Sequence, residues 1–532
     1  MSVFRSVGVL RCSHRYSNRR FVNTFVSTRL NNCIGSYSLL LNDILLNPNV
    51  FKPQKTSPPK RCSSSLLATS STANKASPES LLSRLKYYKS LLCRFYRIAK
   101  RAAYLTLLAT PLLLTYPLTK LSPTLSSRWR SLSVFAVERG GAAVIKLFQW
   151  ASSRPDMFGL AFCDLFKKLQ DSTEPHAFAH TEAIMEDTYG AGWRDCIRIS
   201  AESPVLGSGC IGQVYKAVDA RTGETVALKI LHPNIEHGID ADLDILRAAA
   251  RLLDWSDERV RWLNFPGMVE EFAGLLKDQL DLRNEARNLE EFRKNFEGSK
   301  DVVFPRLFMS GRQAMVMEWM DGHRLSDFVR VHSSDPALLS RTCKKGITAV
   351  CQMIFEHNFV HGDVHPGNIL FSKDPDPKLV LLDVGIAKRF TRADHQLLLD
   401  TLGGFITGDG MAAGRAMIRD SMNREDIAPV EEEGFCLVLH SMCEQAKADH
   451  SFFDSIGNYV TRICDAAARH RVMMNQGFVS IALTVRVMEG VALALDPEAE
   501  IWRIANKIIM KVRAEELLGT GRDRFSEVER RK

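Results

Sequence analysis

Apolar residues recur along the middle and C-terminal parts of this chain with two different periods. Short apolar or alternating runs bounded by glycine, proline or aspartate are typical of strands, and they cover 213–218, 225–231, 314–319, 369–371 and 379–382. Apolar residues three or four positions apart are typical of helices, and they occur within 270–290, 347–355, 397–406, 435–448 and 478–495. This order predicts an α+β protein in which a strand-rich region precedes a mainly helical one.

A different apolar pattern lies nearer the N-terminus. Residues 102–118 form a run of 17 residues without a charged side chain, and basic residues flank the run on both sides. Such a length is at the short end of what a membrane-spanning helix needs, and Pro111 and Pro117 weaken the pattern. The alternative is a buried or interfacial helix. We expect a single transmembrane helix over 99–120.

Charge divides the chain into two parts. The 532 residues carry a formal net charge of +9, are 45% hydrophobic and are 25% charged, which is an ordinary globular mixture. Residues 1–137 hold 21 Lys or Arg and only two acidic residues, whereas the remainder has a net charge of −10. The basic character is therefore N-terminal, and it gives no support for nucleic-acid binding by the folded part. The twelve cysteines contain no Cys-x-x-Cys pair and are expected to be reduced thiols.

The first fifty residues have the composition of an import signal. Six arginines alternate with apolar residues and serines, and no acidic residue occurs before Asp43. We therefore expect a mitochondrial transit peptide over 1–50, the alternative being a basic disordered tail. Serine, threonine, proline and lysine dominate the following segment, and we expect a disordered linker over 51–98.

A glycine-rich segment is the first candidate for chemistry. Gly207, Gly209 and Gly212 form a Gly-x-Gly-x-x-Gly pattern, and glycine lets the backbone come close to phosphate oxygens. Dinucleotide-binding folds share this spacing, but they need a helix directly after the glycines. Two strand-like runs follow here, so the loop is typical of a kinase. The predicted ATP-binding residues of this loop are Leu206, Gly207, Ser208, Gly209, Cys210, Gly212 and Val214.

The second of these runs ends in Val-Ala-Leu-Lys and carries Lys229. This is the pattern of the kinase strand whose lysine holds the α- and β-phosphates of ATP, and that lysine needs an acidic partner. Asp281 and Glu285 lie four residues apart on one face of the predicted helix 270–290, and either could be the partner. We choose Glu285; a solvated helix face is the alternative for either carboxylate.

The apolar strand 314–319 lies where a kinase has the hinge between its two lobes. We expect the main chain around Glu318 and Met320 to pair with the adenine ring. A plain core strand is the alternative.

The segment 359–371 is the most specific of these patterns. Asp363 and Asn368 lie five residues apart, as in the catalytic loop of kinases, and Asp383 follows the next apolar strand in Asp-x-Gly. We expect Asp363 to take a proton from the phosphoryl acceptor, and we expect Asn368 and Asp383 to bind Mg²⁺. His361 and His365 have the spacing of zinc ligands on a helix, but glycine and proline between and after them argue against a helix.

The order of these motifs predicts a two-lobed protein-kinase-like fold of the α+β class. The expected domains are a helical extension over 121–199, a small β-rich N-lobe over 200–320 and a helical C-lobe over 321–520.

The motif His-Gly-Asp-Val-His-Pro-Gly-Asn at 361–368 resembles the signature of the UbiB family, the aarF-domain atypical kinases. Lys-Leu-Phe-Gln at 146–149 is similar to that family's Lys-x-Gly-Gln motif, and Gln-Leu-Asp at 279–281 to its Glu-x-Asp motif, whose position supports Glu285. The resemblance covers roughly residues 135–510 and is greatest for mitochondrial animal members.

The resemblance implies that Lys146 and Gln149 close the nucleotide pocket from outside the kinase core. The sequence departs from the family at Phe148, which replaces a glycine, and at Gln279, which replaces a carboxylate. Asp281 is the expected substitute partner for Lys146.

The resemblance further implies an atypical kinase or ATPase that binds ATP and Mg²⁺, is anchored by one pass in the mitochondrial inner membrane, and supports ubiquinone biosynthesis or lipid metabolism. The implied partners are membrane lipids, quinone-biosynthesis proteins or an isoprenoid lipid. A genuine Ser/Thr protein kinase and a nucleotide-gated lipid-handling scaffold without turnover are the alternatives.

Overall fold

The computed structural model describes residues 78–154, 158, 160–166, 169, 173–256, 264–362, 366–449, 456–499, 501–518 and 525. The predicted leader 1–50, the first part of the predicted linker, the candidate catalytic residue Asp363, and His365 of the rejected zinc pattern lie outside the described residues.

A long helix opens the described chain. Helix α1 covers Pro78–Thr115 and continues in a 3-10 turn over Tyr116–Lys120. Residues 78–98 are therefore helical, which corrects the expectation of a disordered linker up to residue 98. The composition that suggested the linker ends near residue 80, and no proline or glycine occurs from there until Pro111.

Helix α2, Pro123–Arg139, runs back along α1. The indole Nε1 of Trp129 donates to the carbonyl oxygen of Leu112 at 2.9 Å, and the hydroxyl of Tyr104 donates to the carbonyl oxygen of Arg139 at 3.0 Å. The rings of Tyr116 and Trp129 meet edge to face at 5.3 Å between their centroids. The two helices thus form an antiparallel hairpin.

The extension continues with three shorter helices: α3 Ala142–Ser152, α4 Leu160–Phe166 and α5 Phe178–Tyr189. Helix α5 packs on the outer face of the following sheet, where Ile184 and Met185 join a buried cluster with Trp193 and Val226. The extension is therefore part of the folded protein, because it covers apolar sheet surface that would otherwise be exposed to water.

The N-lobe contains six antiparallel strands in the order β1-β3-β4-β7-β6, with β2 paired to β3. They are β1 Ile197–Arg198, β2 Val205–Ser208, β3 Gly212–Asp219, β4 Thr225–Leu231, β6 Leu307–Ser310 and β7 Ala314–Glu318. Gly212 must be glycine, because a Cβ there would lie 2.4 Å from the carbonyl oxygen of Ile230 on β4.

Three helices follow β4: α6 Ile235–Ser256, α7 Phe265–Gln279 and α8 Leu282–Asn295. The predicted single helix 270–290 is thus two helices that meet at Leu280 and Asp281. The reason is local: the carboxylate of Asp281 accepts a hydrogen bond from the backbone amide of Arg283 and begins α8 as its N-cap.

Helix α1 is fixed to α6 by two ion pairs. Arg101 donates from Nε and Nη2 to the two carboxylate oxygens of Asp242 at 2.6 and 2.8 Å, and Arg94 donates to Asp244 at 2.5 Å. The side chain of Asp242 is almost fully buried, so its bidentate pair with Arg101 locks the hairpin to this region more firmly than the exposed Arg94 does.

The C-lobe begins with a small sheet in the order β5-β11-β10-β8 and a two-stranded ladder of β9 and β12. These strands are β5 Val302–Val303, β8 Gly322–Arg324, β9 Val360–His361, β10 Ile369–Ser372, β11 Leu379–Leu381 and β12 Ala387–Lys388.

The helices of the C-lobe are α9 Leu325–Val331, α10 Pro336–Cys351, α11 Arg392–Thr407, α12 Gly410–Arg419, α13 Pro429–Asp449, α14 Ile456–Arg469, α15 Gln476–Leu495 and α16 Ile501–Leu517. Helix α10 ends in a single π turn, Gln352–Glu356. The helices share one large apolar core with α8 and the small sheet. The predicted two-lobed, protein-kinase-like α+β fold is confirmed.

Candidate active site

Lys229 on β4 joins two carboxylates from distant parts of the chain. Its Nζ donates to Glu285 Oε1 at 2.7 Å and to Asp383 Oδ1 at 3.0 Å. The side chains of Lys229 and Glu285 are 17% and 7% exposed, whereas that of Asp383 is 50% exposed. Glu285 is therefore the buried anchor of the lysine, and Asp383 is the member of the group that faces the open cleft.

The amphipathic pattern of α8 explains why Glu285 is buried. Leu282, Ala286, Leu289 and Phe292 bury one side of the helix in the common core, and Glu285 lies on the same side. Asn288, one turn further along, donates to the carbonyl oxygen of Val384 at 3.0 Å. The helix thus holds both the partner of Lys229 and the backbone that follows Asp383.

The three charges perturb one another. Burial alone would raise the pKa of the Asp383 carboxyl, but the ammonium group of Lys229 outweighs burial and lowers that pKa, with smaller contributions from Lys146 and His361. The two carboxylates raise the pKa of Lys229 despite its burial. Burial raises the pKa of Glu285 to about 7, although Lys229 opposes the shift. Lys229 and Asp383 are therefore charged at neutral pH.

The backbone around Asp383 sets its position beside Asn368. The amide of Leu382 donates to the carbonyl oxygen of Asn368 at 2.9 Å, and Asp383 adopts a left-handed conformation with φ of 48°. A Cβ at Gly385 would lie 3.2 Å from Asp383 Oδ1 and 3.4 Å from Glu285 Oε2. Glycine at 385 therefore leaves room for the Asp383 and Glu285 carboxylates.

His361 orients the start of the catalytic loop. Its fully buried ring donates from Nε2 to the carbonyl oxygen of Leu382 at 3.2 Å. The amide of Gly362 donates to the carbonyl oxygen of Ile386 at 2.8 Å, which extends the ladder between β9 and β12. This places the two ends of the loop, His361 and Asn368, beside the segment that carries Asp383; the predicted base Asp363 stays a prediction.

The chemistry of the available oxygens fits a magnesium ion. Asp383 Oδ1 accepts the hydrogen bond from Lys229, while Oδ2 accepts none from any residue that the structure describes. Carboxylate and amide oxygens are the protein ligands that Mg²⁺ prefers, and Asn368 and Asp383 offer one of each. Both residues could therefore hold such an ion together with phosphate oxygens.

The glycine loop is the turn between β2 and β3. The amide of Gly209 donates to the carbonyl oxygen of Gly212 at 2.8 Å, and the β2–β3 register shifts between Val205 and Gly207. Because β3 pairs with β4, Val214 lies opposite Lys229, so the loop leads directly to the charged group.

Three residues that belong to none of the recognised motifs contact the glycine loop and hold it in place. Thr173 donates from its backbone amide to the carbonyl oxygen of Ser208 at 2.8 Å and from its hydroxyl to the carbonyl oxygen of Gly209 at 2.6 Å. His232 Nε2 lies 2.8 Å from the same carbonyl oxygen of Gly209. His176 Nδ1 lies 2.8 Å from His232 Nδ1. We call Thr173, His176 and His232 the loop clamp.

The clamp has one consistent arrangement of protons when both histidines are neutral. His232 must donate from Nε2 to the Gly209 carbonyl, so its Nδ1 accepts from Nδ1–H of His176. His176 Nε2 then accepts from the hydroxyl of Thr181 at 3.0 Å. Burial, followed by the nearby His232 and His180, lowers the pKa of His176 to about 4, so His176 is neutral in this chain at physiological pH.

Lys146 and Gln149 lie on α3, as the resemblance implied, but their side chains interact with different parts of the protein. The charge of Lys146 acts on Asp383, which places Lys146 on the side of the nucleotide site. Gln149 Nε2 lies 3.5 Å from the carbonyl oxygen of Leu169 and so reaches the segment after α4. Phe148 packs against Phe162 and Phe166 with centroid distances of 5.8 and 4.7 Å. Its ring joins α3 to α4.

Asp281 has a different partner from the one expected. Its carboxylate pairs with the guanidinium of Arg283 at 2.6 Å and caps α8, and the pKa of Asp281 is lowered chiefly by this hydrogen bond. The expectation that Asp281 replaces the family's partner of Lys146 is therefore corrected, because its position at the N-cap directs it to Arg283.

Glu318 ends β7, and Met320 lies between β7 and β8, at the junction of the lobes. The carboxylate of Glu318 accepts from the backbone amide of Arg306 at 3.0 Å, and its own amide donates to the carbonyl oxygen of Arg306 at 2.8 Å. Glu318 is thus fixed at the sheet edge, and the pairing of this segment with adenine stays a prediction.

The fold and the candidate site are those of the kinase-like class. Comparison with known proteins shows which members of that class this chain is similar to. Residues 168–416 match the ABC1 atypical kinase-like domain. A mitochondrial ABC1 family protein of Schizosaccharomyces pombe is 28% identical over 80% of this chain and 71% of its own length. A mitochondrial ABC1 family protein of Saccharomyces cerevisiae is 27% identical over 75% and 72%. The probable protein kinase UbiB of Aliivibrio fischeri is 27% identical over 70% and 69%.

Residues 168–416 are therefore similar to the ABC1 atypical kinase-like domain, and the resemblance of this chain to the UbiB family is confirmed.

Proposed function

We propose that this chain binds Mg-ATP between its lobes and transfers or hydrolyses the terminal phosphoryl group. One observation carries the proposal: Lys229, Glu285 and Asp383 come from three distant segments, and Lys229 Nζ lies 2.7 Å from Glu285 and 3.0 Å from Asp383. In kinase-like proteins this is the arrangement that orients phosphates and holds the metal.

Each residue has a definite task in this proposal. The glycine loop donates backbone amides to the phosphates, and Lys229, positioned by Glu285, binds the α- and β-phosphates. Asn368 and Asp383 hold Mg²⁺, which when bound neutralises charge on the phosphates. Asp363 accepts the proton of the attacking hydroxyl or water.

The proposed acceptor is water or a small molecule, with a protein acceptor as the alternative. Leu147 on α3 packs against the same apolar cluster as Ile211 of the glycine loop, and the charge of Lys146 contributes to the lowered pKa of Asp383. The extension therefore lies beside the cleft, which supports a small acceptor over a folded protein.

We further propose action at the mitochondrial inner membrane, in ubiquinone or lipid metabolism. The names of the mitochondrial ABC1 and UbiB relatives support this proposal. The part of α1 and its 3-10 turn over Leu92–Lys120 is long and apolar enough to cross a bilayer, and none of its residues is fully buried. Gly477–Leu495 passes the same test but is largely buried, as the core position of α15 explains.

The hairpin refines the form of this anchor. A single pass of α1 would separate Trp129 and Tyr104 from their partners across the hairpin and would break the ion pairs of Arg94 and Arg101 with α6, whereas the intact hairpin would enter the bilayer as two helices. Cysteines placed at Lys100 and at Glu138, each labelled with an impermeant maleimide in sealed vesicles, distinguish the two forms. A single pass exposes residues 100 and 138 on opposite sides of the membrane; a two-helix hairpin exposes both on the same side.

The decisive experiment measures magnesium-dependent nucleotide binding and phosphate release by the full chain, with and without membranes. We expect both for the wild type and at least a hundredfold loss of phosphate release in Asp383→Asn. Asp374→Asn, an exposed aspartate in the turn after β10, is the matched control and should behave as wild type. A well-folded wild type that binds no nucleotide in the presence of magnesium would overturn the proposal; binding without turnover would favour the nucleotide-gated scaffold.

A further inference from the structure

The C-lobe contains an apolar cavity of about 110 Å³ that shares no residue with the nucleotide site. It lies between α10, α11, α14, α15 and α16. Its walls include Val350, Phe405, Tyr459, Met488 and Ile509, one from each of these helices. The interior of a folded domain rarely leaves a space of this size, because side chains pack to the density of organic crystals.

Two polar residues interrupt the apolar lining. Thr401 on α11 is 3% exposed, and its hydroxyl has no hydrogen-bond partner among the residues that the structure describes. Glu489 on α15 is 8% exposed. A buried hydroxyl without a partner is unfavourable, and native structures almost always supply one. The Thr401 hydroxyl is therefore a hydrogen-bond donor without an acceptor among the described residues, in a cavity whose described walls are mainly apolar apart from Glu489.

The wall nearest the catalytic loop is the π turn. Cys351 ends α10, and Ile354 and Phe355 belong to the turn; all three line the cavity. π turns within α-helices occur often at functional sites, because the extra residue redirects side chains. The amide of Phe359 donates to the carbonyl oxygen of Met353 at 3.0 Å, and β9 with His361 follows directly. The turn thus joins the cavity to the strand that begins the catalytic loop.

A salt bridge ties the opposite wall to the same turn. Lys511 on α16 donates to Glu356 at 2.8 Å, and Glu356 is the last residue of the π turn. The hydrogen bond from Lys511 lowers the pKa of Glu356 against the effect of burial. A molecule in the cavity would therefore contact both α16 and the π turn, which are already joined by this salt bridge near the start of the catalytic loop.

We propose that this cavity is a binding site for a small neutral alcohol: an aliphatic or aromatic group of about six carbon atoms with one hydroxyl. A cavity of about 150 Å³ lined by apolar side chains binds benzene, so about 110 Å³ accepts a single six-membered ring or a chain of similar size. The hydroxyl oxygen of the ligand accepts from Thr401. An anionic ligand is excluded, because the mainly apolar walls give it no solvation and Glu489 adds a carboxyl group to them. This site does not depend on the proposed nucleotide chemistry.

The test compares two probes of the same shape, cyclohexanol and methylcyclohexane, with the full chain in detergent and without nucleotide. Thermal unfolding is followed as a function of free probe concentration. We expect a saturable rise of the midpoint with cyclohexanol and at least a fivefold weaker apparent affinity for methylcyclohexane. A rise that is linear in concentration for both probes, or no rise, would overturn the proposal.

Two variants distinguish the contribution of the Thr401 hydroxyl to binding from that of the cavity itself. Thr401→Val keeps the shape of the side chain and should fold, because the hydroxyl has no partner to lose; we expect it to bind both probes equally. Thr407→Val is the matched control on the same helix, because Thr407 is exposed and donates to the carbonyl oxygen of Gly403. It should keep the wild-type preference. Equal preference in wild type and Thr401→Val would contradict the assigned ligand class.

The third variant fills the space. Ala482 on α15 lines the cavity and is buried, so Ala482→Phe should abolish the saturable effect of both probes. A folded Ala482→Phe that still binds cyclohexanol with wild-type affinity would place the binding elsewhere. Should this variant fail to fold, the comparison of Thr401→Val with Thr407→Val decides the matter alone.

Discussion

Two hydrogen-bonded groups flank the candidate nucleotide site, and they are built on opposite principles. The first is charged: Lys229 lies between Glu285 and Asp383. The second contains no ion pair: the loop clamp joins Thr173, His176 and His232 to the glycine loop through hydrogen bonds. In the proposed function, charge positions the groups that act on phosphate, whereas the clamp sets the position of the backbone that covers the phosphate.

The difference has a physical cause. A charged group in a partly buried cleft is attracted over several ångströms, so the Lys229 group tolerates small movements of the lobes. A chain of neutral hydrogen bonds requires each donor to face an acceptor at about 3 Å and fails when one proton is added or lost. The charged group therefore tolerates small movements of the lobes better than the clamp does, and the clamp is the group whose geometry should depend on pH.

Removal of the lysine gives the largest expected effect. Lys229→Met leaves Glu285 and Asp383 without their shared cation, and we expect a loss of about 10²–10³-fold in phosphate release, as for the loss of a major electrostatic contact. Steady-state phosphate release with saturating Mg-ATP measures it. The control is Lys373→Met, because Lys373 pairs with Asp321 on the surface and contributes little. Turnover within threefold of wild type in Lys229→Met would show that the charged group is not the phosphate site.

Loss of the clamp should act mainly on nucleotide affinity. His232→Ala removes the hydrogen bond to Gly209 and the acceptor for His176, so the loop loses part of its fixed geometry. We expect KM for ATP to rise about tenfold, the equivalent of one to two hydrogen bonds, with a smaller change in kcat. His237→Ala is the control, an exposed histidine on the adjacent helix. A variant with lower kcat and unchanged KM would instead assign His232 a role in the chemical step.

The clamp should also make stability depend on pH in a defined window. The pKa of His176 is about 4 in the folded chain and about 6.5 in the unfolded chain, so the unfolded state binds the extra proton. The contribution of His176 is thus fully present above pH 6.5 and is lost as pH falls towards 4. We expect urea midpoints of wild type and His176→Gln to change in parallel above pH 6.5, and the wild type to lose more stability between pH 6.5 and 4.

That difference measures His176 together with its contact to His232, since the other titrating groups are common to both proteins. Parallel curves over the whole range from pH 7.5 to 4 would mean that His176 takes its proton equally in both states.

The smallest effect is expected at Asp281. Asn is as good an N-cap as Asp, so Asp281→Asn should change the free energy of unfolding by less than about 0.5 kcal/mol and leave turnover within twofold. Glu285→Gln is the contrasting variant, four residues along the same helix, and should impair turnover strongly. A large loss of activity in Asp281→Asn would restore it as a partner of Lys146.

Much of the site could be predicted because its motifs are local. The spacing of Gly207, Gly209 and Gly212 and the strand before Lys229 depend on residues within one hairpin. The same holds for Asn368 and Asp383, each at the end of a short apolar strand. Local backbone preferences and the alternation of apolar residues are properties of a few consecutive residues, so a sequence displays them directly.

The helix boundaries, and the contacts between residues distant in sequence, were harder to predict. The helix expected over 270–290 is broken by the capping of Asp281, and the helix at Pro78 begins within a segment whose composition suggested disorder. Both errors arose where a single polar residue or a gradual change of composition decides between two structures of nearly equal free energy. The loop clamp could not be predicted, because its two histidines and one threonine follow no recognisable spacing in the sequence.

The sequence by itself determined the type of candidate site: a glycine loop, a strand lysine with its predicted partner Glu285, and two candidate metal-binding side chains in the order of a kinase. Tertiary structure alone decided the contact of Lys229 with Asp383 and the contacts of the loop clamp. Lys229 is 56 residues from Glu285 and 154 from Asp383, and His176 is 56 residues from His232. Such contacts form only when packing of the two lobes and the extension compensates the entropy of closing long loops, and that packing is a sum over many residues that no short pattern contains.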